Sequence, residues 1–167
     1  MRRRSFAAFA AASLLFCAGG SAVWAAPTIG PDSNLPVPRF VSLKTEGANG
    51  RQGPSVENRV DWIYQRAGLP LEVTAESGPW RRVRDPDGAQ TWMHAQNLDT
   101  RRTAYVEHAA VLRQIGHADA RPVAYLAPGV IGALTGCQGE WRRIAVGGRV
   151  GWVLRNDLWG ADSCDAS

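Results

Sequence analysis

The residues that could perform chemistry are few and widely spaced. Beyond position 25 the chain has two cysteines, Cys137 and Cys164, and three histidines, His94, His108 and His117. Catalysis by a cysteine needs a thiolate activated by a nearby base, and none of these histidines lies in a recognisable base motif. No Cys-x-x-Cys spacing indicates a redox or zinc site. The sequence therefore predicts no enzymatic activity, no metal and no cofactor.

The cysteines and one serine have structural interpretations. In an oxidising compartment Cys137 and Cys164 could form a disulfide, which would stabilise the fold by roughly 3 to 4 kcal/mol. An unpaired or intermolecular thiol is the alternative, because Cys164 lies in a polar tail. Ser55 lacks the Gly-x-Ser-x-Gly surroundings of a serine nucleophile. It is expected to cap a turn instead.

The first 25 residues read as an export signal. Three arginines at 2–4 precede an apolar run at 6–17, and small residues lead to a cleavage site after Ala25. The run is too short to span a bilayer. The sequence thus predicts a periplasmic or secreted protein with no membrane span after cleavage.

The charge of the chain argues against nucleic acid as a partner. Without the three arginines of the leader, the net charge of +4 falls to about +1. Binding to nucleic acid depends on several clustered basic residues, which are absent from a helix or stripe here. Lys44 is the single lysine of the chain, so arginine supplies nearly all positive charge. Arginine favours planar, stacked or bidentate contacts.

Two segments of the chain repeat each other. Trp80 begins a Trp-Arg-Arg-Val run and Trp141 begins Trp-Arg-Arg-Ile; each is followed by a Gly-containing turn. A second tryptophan follows in each copy, Trp92 and Trp152, and both copies then reach a leucine after an Asn or Asp. A period of about 60 residues occurring twice indicates two copies of one small domain.

Each copy is predicted to be all-β. Short β-rich runs alternate with Gly and Pro turns, and five such strands would close into a small barrel. A helix over 101–115 is possible, but the repeat requires a strand near 110–113. The predicted organisation is a signal peptide at 1–25, an extended Pro-rich lead at 26–38, module 1 at 39–100, a linker at 101–104, module 2 at 105–160 and a polar tail at 161–167.

These motifs resemble a known family. Asn-Gly-Arg-Gln-Gly-Pro-Ser at 49–55, Gly-Pro-Trp at 78–80 and Trp-Met at 92–93 are similar to the bacterial SH3-like domain. The whole resembles small exported proteobacterial proteins with two such modules. Module 1 departs from the pattern with Thr91 in place of Gly, and module 2 lacks Gly-Pro-Ser. The resemblance implies two tandem SH3-like β-barrels that bind cell-wall material or envelope partners.

Aromatic and arginine side chains are the predicted ligand contacts, since such residues are enriched in binding hot spots. The candidates at the barrel rims are Trp80, Arg81, Arg82, Trp62, Tyr64, Trp141 and Arg142. Trp92 and Trp152 are expected to fill the two cores. Peptidoglycan or a peptide is the expected ligand, and the alternative is an envelope adaptor without affinity for the wall.

Overall fold

The computed structural model describes residues 28–162, which form a short lead and two all-β modules. The lead contains β1 (Thr28–Ile29) and β2 (Pro36–Val37). Module 1 contains β3 (Arg39–Leu43), β4 (Ala48–Arg51), β5 (Val60–Tyr64), β6 (Pro70–Ser77), β7 (Trp80–Arg84), β8 (Gln90–His94), a 3-10 helix (Ala95–Asn97) and β9 (Leu98–Asp99). Module 2 contains β10 (Thr103–Val106), β11 (Ala110–Arg113), β12 (Pro122–Leu126), β13 (Ile131–Gln138), β14 (Trp141–Val146), β15 (Arg149–Leu154), a 3-10 helix (Arg155–Asp157) and β16 (Leu158–Trp159). No helix within 28–162 is long and apolar enough to cross a membrane.

The two modules share one topology. Each is a seven-stranded antiparallel sheet, with strand orders β5-β4-β8-β7-β6-β3-β9 and β12-β11-β15-β14-β13-β10-β16. Even the irregularities repeat, because the register shifts between Val73 and Ala75 in one module and between Leu134 and Gly136 in the other. The all-β repeat is confirmed, although each sheet has seven strands rather than five. The added strands include β9 and β16, two-residue segments too short to show an alternating pattern.

The cores are built from one face of each sheet. Module 1 buries Leu43, Leu71, Val73, Val83 and Met93, and module 2 buries Val106, Leu112, Ile144 and Val153. The prediction that Trp92 and Trp152 fill the cores is wrong, since both are only half-buried. Successive strand residues point to opposite faces, so the burial of Met93 and Val153 turns their tryptophan neighbours outward.

The segments outside the modules are more structured than predicted. Within the lead, which was predicted to be extended, β1 pairs with β2 as a small antiparallel ladder. The predicted linker at 101–104 is shorter, because Thr103 already begins β10. The predicted strand near 110–113 is confirmed as β11 (Ala110–Arg113).

The end of module 2 packs against module 1. The Trp159 ring meets the Phe40 ring edge-on, with centroids 5.3 Å apart. The Arg84 guanidinium lies 5.1 Å from the centre of the Trp159 ring. Arg66 Nη2 donates a hydrogen bond to the Gly129 carbonyl at 2.7 Å. Three contacts at two places, the Trp159 ring and the Gly129 carbonyl, therefore join the modules.

Candidate functional site

Trp80 forms the floor of a cleft in module 1. It begins β7 and pairs across the ladder with His94, the last residue of β8. The two rings lie edge to face, with centroids 5.4 Å apart. Trp80 is only 9% exposed, so only a small part of its ring is accessible from the cleft. Trp80, predicted as a ligand contact, can therefore touch a ligand in the cleft only through this small part of its ring.

The rim of this cleft is polar. The cleft encloses about 290 Å³. Its polar side chains are Thr45, Glu46, Asn49, Arg51, His94, Gln96 and Asn97. His94 Nδ1 also accepts a hydrogen bond from the backbone N–H of Gln96 at 3.3 Å, which begins the 3-10 helix Ala95–Asn97. The rim therefore presents mainly neutral donors and acceptors around an aromatic base.

Arg51 holds the loop that forms one wall of the cleft. Its Nη1 donates to the carbonyls of Val56 and Asn58 at 2.9 and 2.7 Å. Arg113 does the same in module 2 by donating to the Ala120 carbonyl at 2.8 Å. Arg51 belongs to the sequence motif at 49–55, but the sequence did not predict that it holds this loop. The recurrence of the arginine at the same place in both copies was the available signal.

Arg81 and Arg142 face inward rather than toward a ligand. Both are buried. Arg81 Nη1 donates to the carbonyls of Gly78 and Trp80, and Arg142 Nη1 donates to those of Gly139 and Trp141. The prediction that they lie at an open rim is therefore wrong, because their buried guanidinium groups already donate hydrogen bonds to turn carbonyls. Arg82, the third predicted arginine, is exposed.

The two buried arginines also secure the segments that flank the modules. Arg81 Nε lies 3.3 Å from Glu76, whose carboxylate accepts from the Ser33 hydroxyl of the lead at 2.6 Å. Arg142 Nε donates to the Ala161 carbonyl at 2.6 Å. The same arginine position thus holds the lead in module 1 and the start of the tail in module 2.

Burial and ion pairing compete at Glu76. Its carboxylate is fully buried and lies 2.8 Å from Arg39 Nη2. Burial alone would raise the pKa of Glu76, but hydrogen bonds from Ser33, Arg39 and the Asp32 backbone N–H outweigh it and lower the pKa to about 2. Glu76 is therefore an anion at neutral pH.

Tyr64 lies inside module 1 rather than at its rim, so its predicted surface position is wrong. Its hydroxyl donates to Asp85 Oδ2 and contacts Thr91 Oγ1, each at 3.2 Å. Burial raises the pKa of Tyr64 to about 12; the hydrogen bond with Thr91 opposes this rise and the Asp85 carboxylate adds to it. Thr91, the departure from the family pattern, thus belongs to a buried polar network. A Cβ at Gly50 would lie 2.5 Å from Thr91 Oγ1, so the network also needs that glycine.

We expect Tyr64→Phe to lower the free energy of unfolding by about 1–3 kcal/mol, because it leaves the Asp85 carboxylate without its hydroxyl donor. Urea denaturation at pH 7 measures the change. Tyr125→Phe is the matched control, since Tyr125 is 79% exposed and its loss of a hydroxyl should leave the midpoint unchanged. Equal midpoints for Tyr64→Phe and wild type would contradict the network.

The remaining aromatic candidates lie apart from the cleft. Trp141 is half-buried beneath its own loop, since a Cβ at Gly116 would lie 2.9 Å from its Cγ. Trp62 is 57% exposed on β5 and lines a different groove. The structure therefore does not gather the predicted tryptophans into one site.

Several predictions fall on residues outside 28–162. The signal peptide at 1–25 and Cys164 are among them, and the Cys137–Cys164 disulfide stays a prediction. Cys137 itself is half-buried in β13, at the position of module 2 that corresponds to Glu76 of module 1. Within the described residues, no group of three or more His, Cys, Asp or Glu side chains could hold a metal ion.

Comparison with known proteins identifies the repeated unit. The family described as Bacterial SH3 domain matches twice, at residues 44–100 and 106–160. No curated protein matches the chain. Among solved structures, NlpC2 of Trichomonas vaginalis is 14% identical with a TM-score of 0.34, over 73% of this chain and 48% of that one. NlpC1 of the same organism is 15% identical with a TM-score of 0.34, over 78% and 48%. The chain spans about half the length of these structures, and its two matched segments place it in the bacterial SH3 domain family as a tandem pair.

Proposed function

We propose that the protein is a non-enzymatic, exported envelope protein that binds peptidoglycan through the cleft over Trp80. The observation that carries the proposal is the pairing of an aromatic floor with a polar rim that is mainly neutral. Peptidoglycan offers hydroxyl, amide and short apolar groups, which match such a surface. Export rests on the predicted signal peptide at 1–25.

The size of the cleft fits a fragment of that polymer. Its volume of about 290 Å³ lies at the lower end of ligand pockets, enough for one sugar or a short stretch of stem peptide. Asn49 and Gln96 are exposed at the rim and can donate and accept hydrogen bonds. Membership of the bacterial SH3 domain family supports a binding role.

Module 2 differs at the positions that build the cleft. Where Trp80 faces His94, Trp141 faces Leu154. The loop residue Gly116 packs against Trp141, although the Trp141 ring is more exposed than that of Trp80. The replacement of the polar His94 by Leu154 therefore supports module 1 as the wall-binding copy.

Co-sedimentation of residues 26–167 with purified sacculi tests the proposal. We expect binding that persists at high salt, because neutral hydrogen bonds are not screened. The double variant Asn49→Ala/Gln96→Ala should weaken binding about tenfold or more, since each lost hydrogen bond contributes about 1 kcal/mol. Asn156→Ala changes the position in module 2 that corresponds to Gln96, and it should bind as wild type does.

Two outcomes would overturn the proposal. The first is wild-type protein that stays in the supernatant at every salt concentration. The second is a double variant that sediments as wild type does, which would place the wall contact outside the cleft.

A further inference from the structure

A second concave surface lies where module 1 meets module 2. This boundary groove encloses about 350 Å³ beside strand β5 and the turn after β7. Its residues include Trp62, Ile63, Leu69, Pro86 and Ala89 of module 1 and Tyr105 of module 2. The lining is mostly apolar, unlike that of the cleft over Trp80.

The groove adjoins an open edge of the sheet. β5 is the first strand in the order of its sheet and pairs only with β4, so no strand within residues 28–162 lies along its outer edge. Trp62 and Ile63 are 57% and 55% exposed on this strand, one toward each face. An open edge of this kind can accept another strand through its backbone groups.

The repeat provides an internal comparison. β12 is the corresponding edge of module 2, and in the described part of the chain it pairs only with β11. Ala124 occupies the position of Trp62 there, by its pairing opposite Leu112 as Trp62 pairs opposite Gly50. The exposed tryptophan is thus particular to the edge that borders the groove.

The charges in the groove favour a cationic occupant. Asp85 is 8% exposed, and its carboxylate accepts from the Ala89 backbone N–H at 2.9 Å and from the Tyr64 hydroxyl. Asp87 is exposed on the rim. Neither aspartate forms an ion pair within residues 28–162. The one cationic lining residue, Arg66, donates to the Gly129 carbonyl, so the groove has an excess of negative charge.

We propose that the boundary groove binds an extended segment of a partner protein. The segment adds a strand to β5, packs an apolar side chain on Trp62 and places a Lys or Arg beside Asp85 and Asp87. This inference goes beyond peptidoglycan binding, because it assigns a second site and a second class of ligand. It is independent of the cleft over Trp80.

Selection from a random 12-residue peptide library displayed on phage, with immobilised residues 26–167 as bait, tests the proposal. We expect enrichment of peptides that carry Lys or Arg beside apolar residues. A synthetic copy of an enriched peptide should bind Trp62→Ala about tenfold more weakly, the size of effect typical of an aromatic hot spot. Asp87→Asn should weaken binding about threefold and reduce its dependence on salt.

Matched variants distinguish binding in the groove from binding at the other surfaces of the protein. Tyr125→Ala removes an exposed aromatic residue from the β12 edge and should bind the peptide as wild type does. Asn49→Ala/Gln96→Ala, which alters the cleft, should also leave peptide binding unchanged. Thermal melts of each variant identify any loss of folding, and Asp87→Asn remains informative if Trp62→Ala unfolds.

Three results would overturn the inference. They are the absence of enriched peptides, enrichment of acidic peptides, and unaltered binding to folded Trp62→Ala. Competition with soluble muropeptides tests the wall as an alternative occupant, and displacement that depends on Trp62 would reassign the groove to the wall. Failure of sacculi to bind leaves the peptide result intact, so the two proposals fail separately.

Discussion

Glu76→Gln is expected to lower the free energy of unfolding at pH 7 by about 3 kcal/mol, the lower end of the range for breaking a buried ion pair. The glutamine would keep the shape of the side chain but leave Arg39 and Arg81 without their shared anion. It would also weaken the hold on Ser33, so the lead would separate from β6.

The same carboxylate predicts how stability depends on pH. Because the folded protein lowers the pKa of Glu76 to about 2 from the usual 4.5, folding favours the ionised form. Its contribution to stability is complete above the unfolded pKa and is lost as the pH falls from about 4.5 toward 2. Wild type should therefore lose stability across that window, and Glu76→Gln should lose less.

Urea denaturation at pH 7 and at pH 3 measures both effects. Glu140→Gln is the control, because Glu140 forms an ion pair with Arg155 at the surface and should change stability by about 0.5 kcal/mol or less. This role would be contradicted if Glu76→Gln had the wild-type urea midpoint at pH 7. It would also be contradicted if the variant lost as much stability as wild type between pH 7 and pH 3.

Trp159→Ala is expected to separate the unfolding of the two modules. The substitution removes the ring that contacts Phe40 and Arg84, and it should cost about 2–3 kcal/mol, somewhat below the range for a fully buried aromatic residue. The loss falls on the contact between modules, so one cooperative transition should become two.

Calorimetry of residues 26–167 checks the expectation through the ratio of van't Hoff to calorimetric enthalpy. Tyr125→Ala serves as the control, because Tyr125 is 79% exposed on β12. One transition at the wild-type temperature in Trp159→Ala would show that the ring does not couple the modules.

The repeat made the fold predictable, but the environment of each side chain could not be predicted from it. Trp80 and Trp141 stand at the same place in the two copies, and this repeat predicted two copies of one small all-β domain, which the structure confirms. The alignment of the two copies does not indicate which face of a strand points into the core. The core position predicted for Trp92 belongs to its neighbour Met93.

Long-range contacts were the main features that the sequence did not predict. Glu76 meets Ser33, 43 positions away, and nothing in either local sequence indicates that pairing. Trp159 offered a usable signal, since pairing with β10 aligns it with Asp99 of the other copy. A tryptophan in place of an aspartate marks a position where the copies face different surroundings, and here that surrounding is the other module.

The three residues between β9 and β10, at 100–102, act as a short tether. Arg101 shortens its reach further, because its backbone N–H donates to Asp99 Oδ1 at 2.9 Å. A short tether gives the second module an effective concentration on the order of millimolar at the surface of the first. A contact as small as the one around Trp159 can therefore stay occupied at strengths that would not hold two separate proteins together. Duplication within one chain thus provided an association that two freely diffusing copies would need a far larger interface to match.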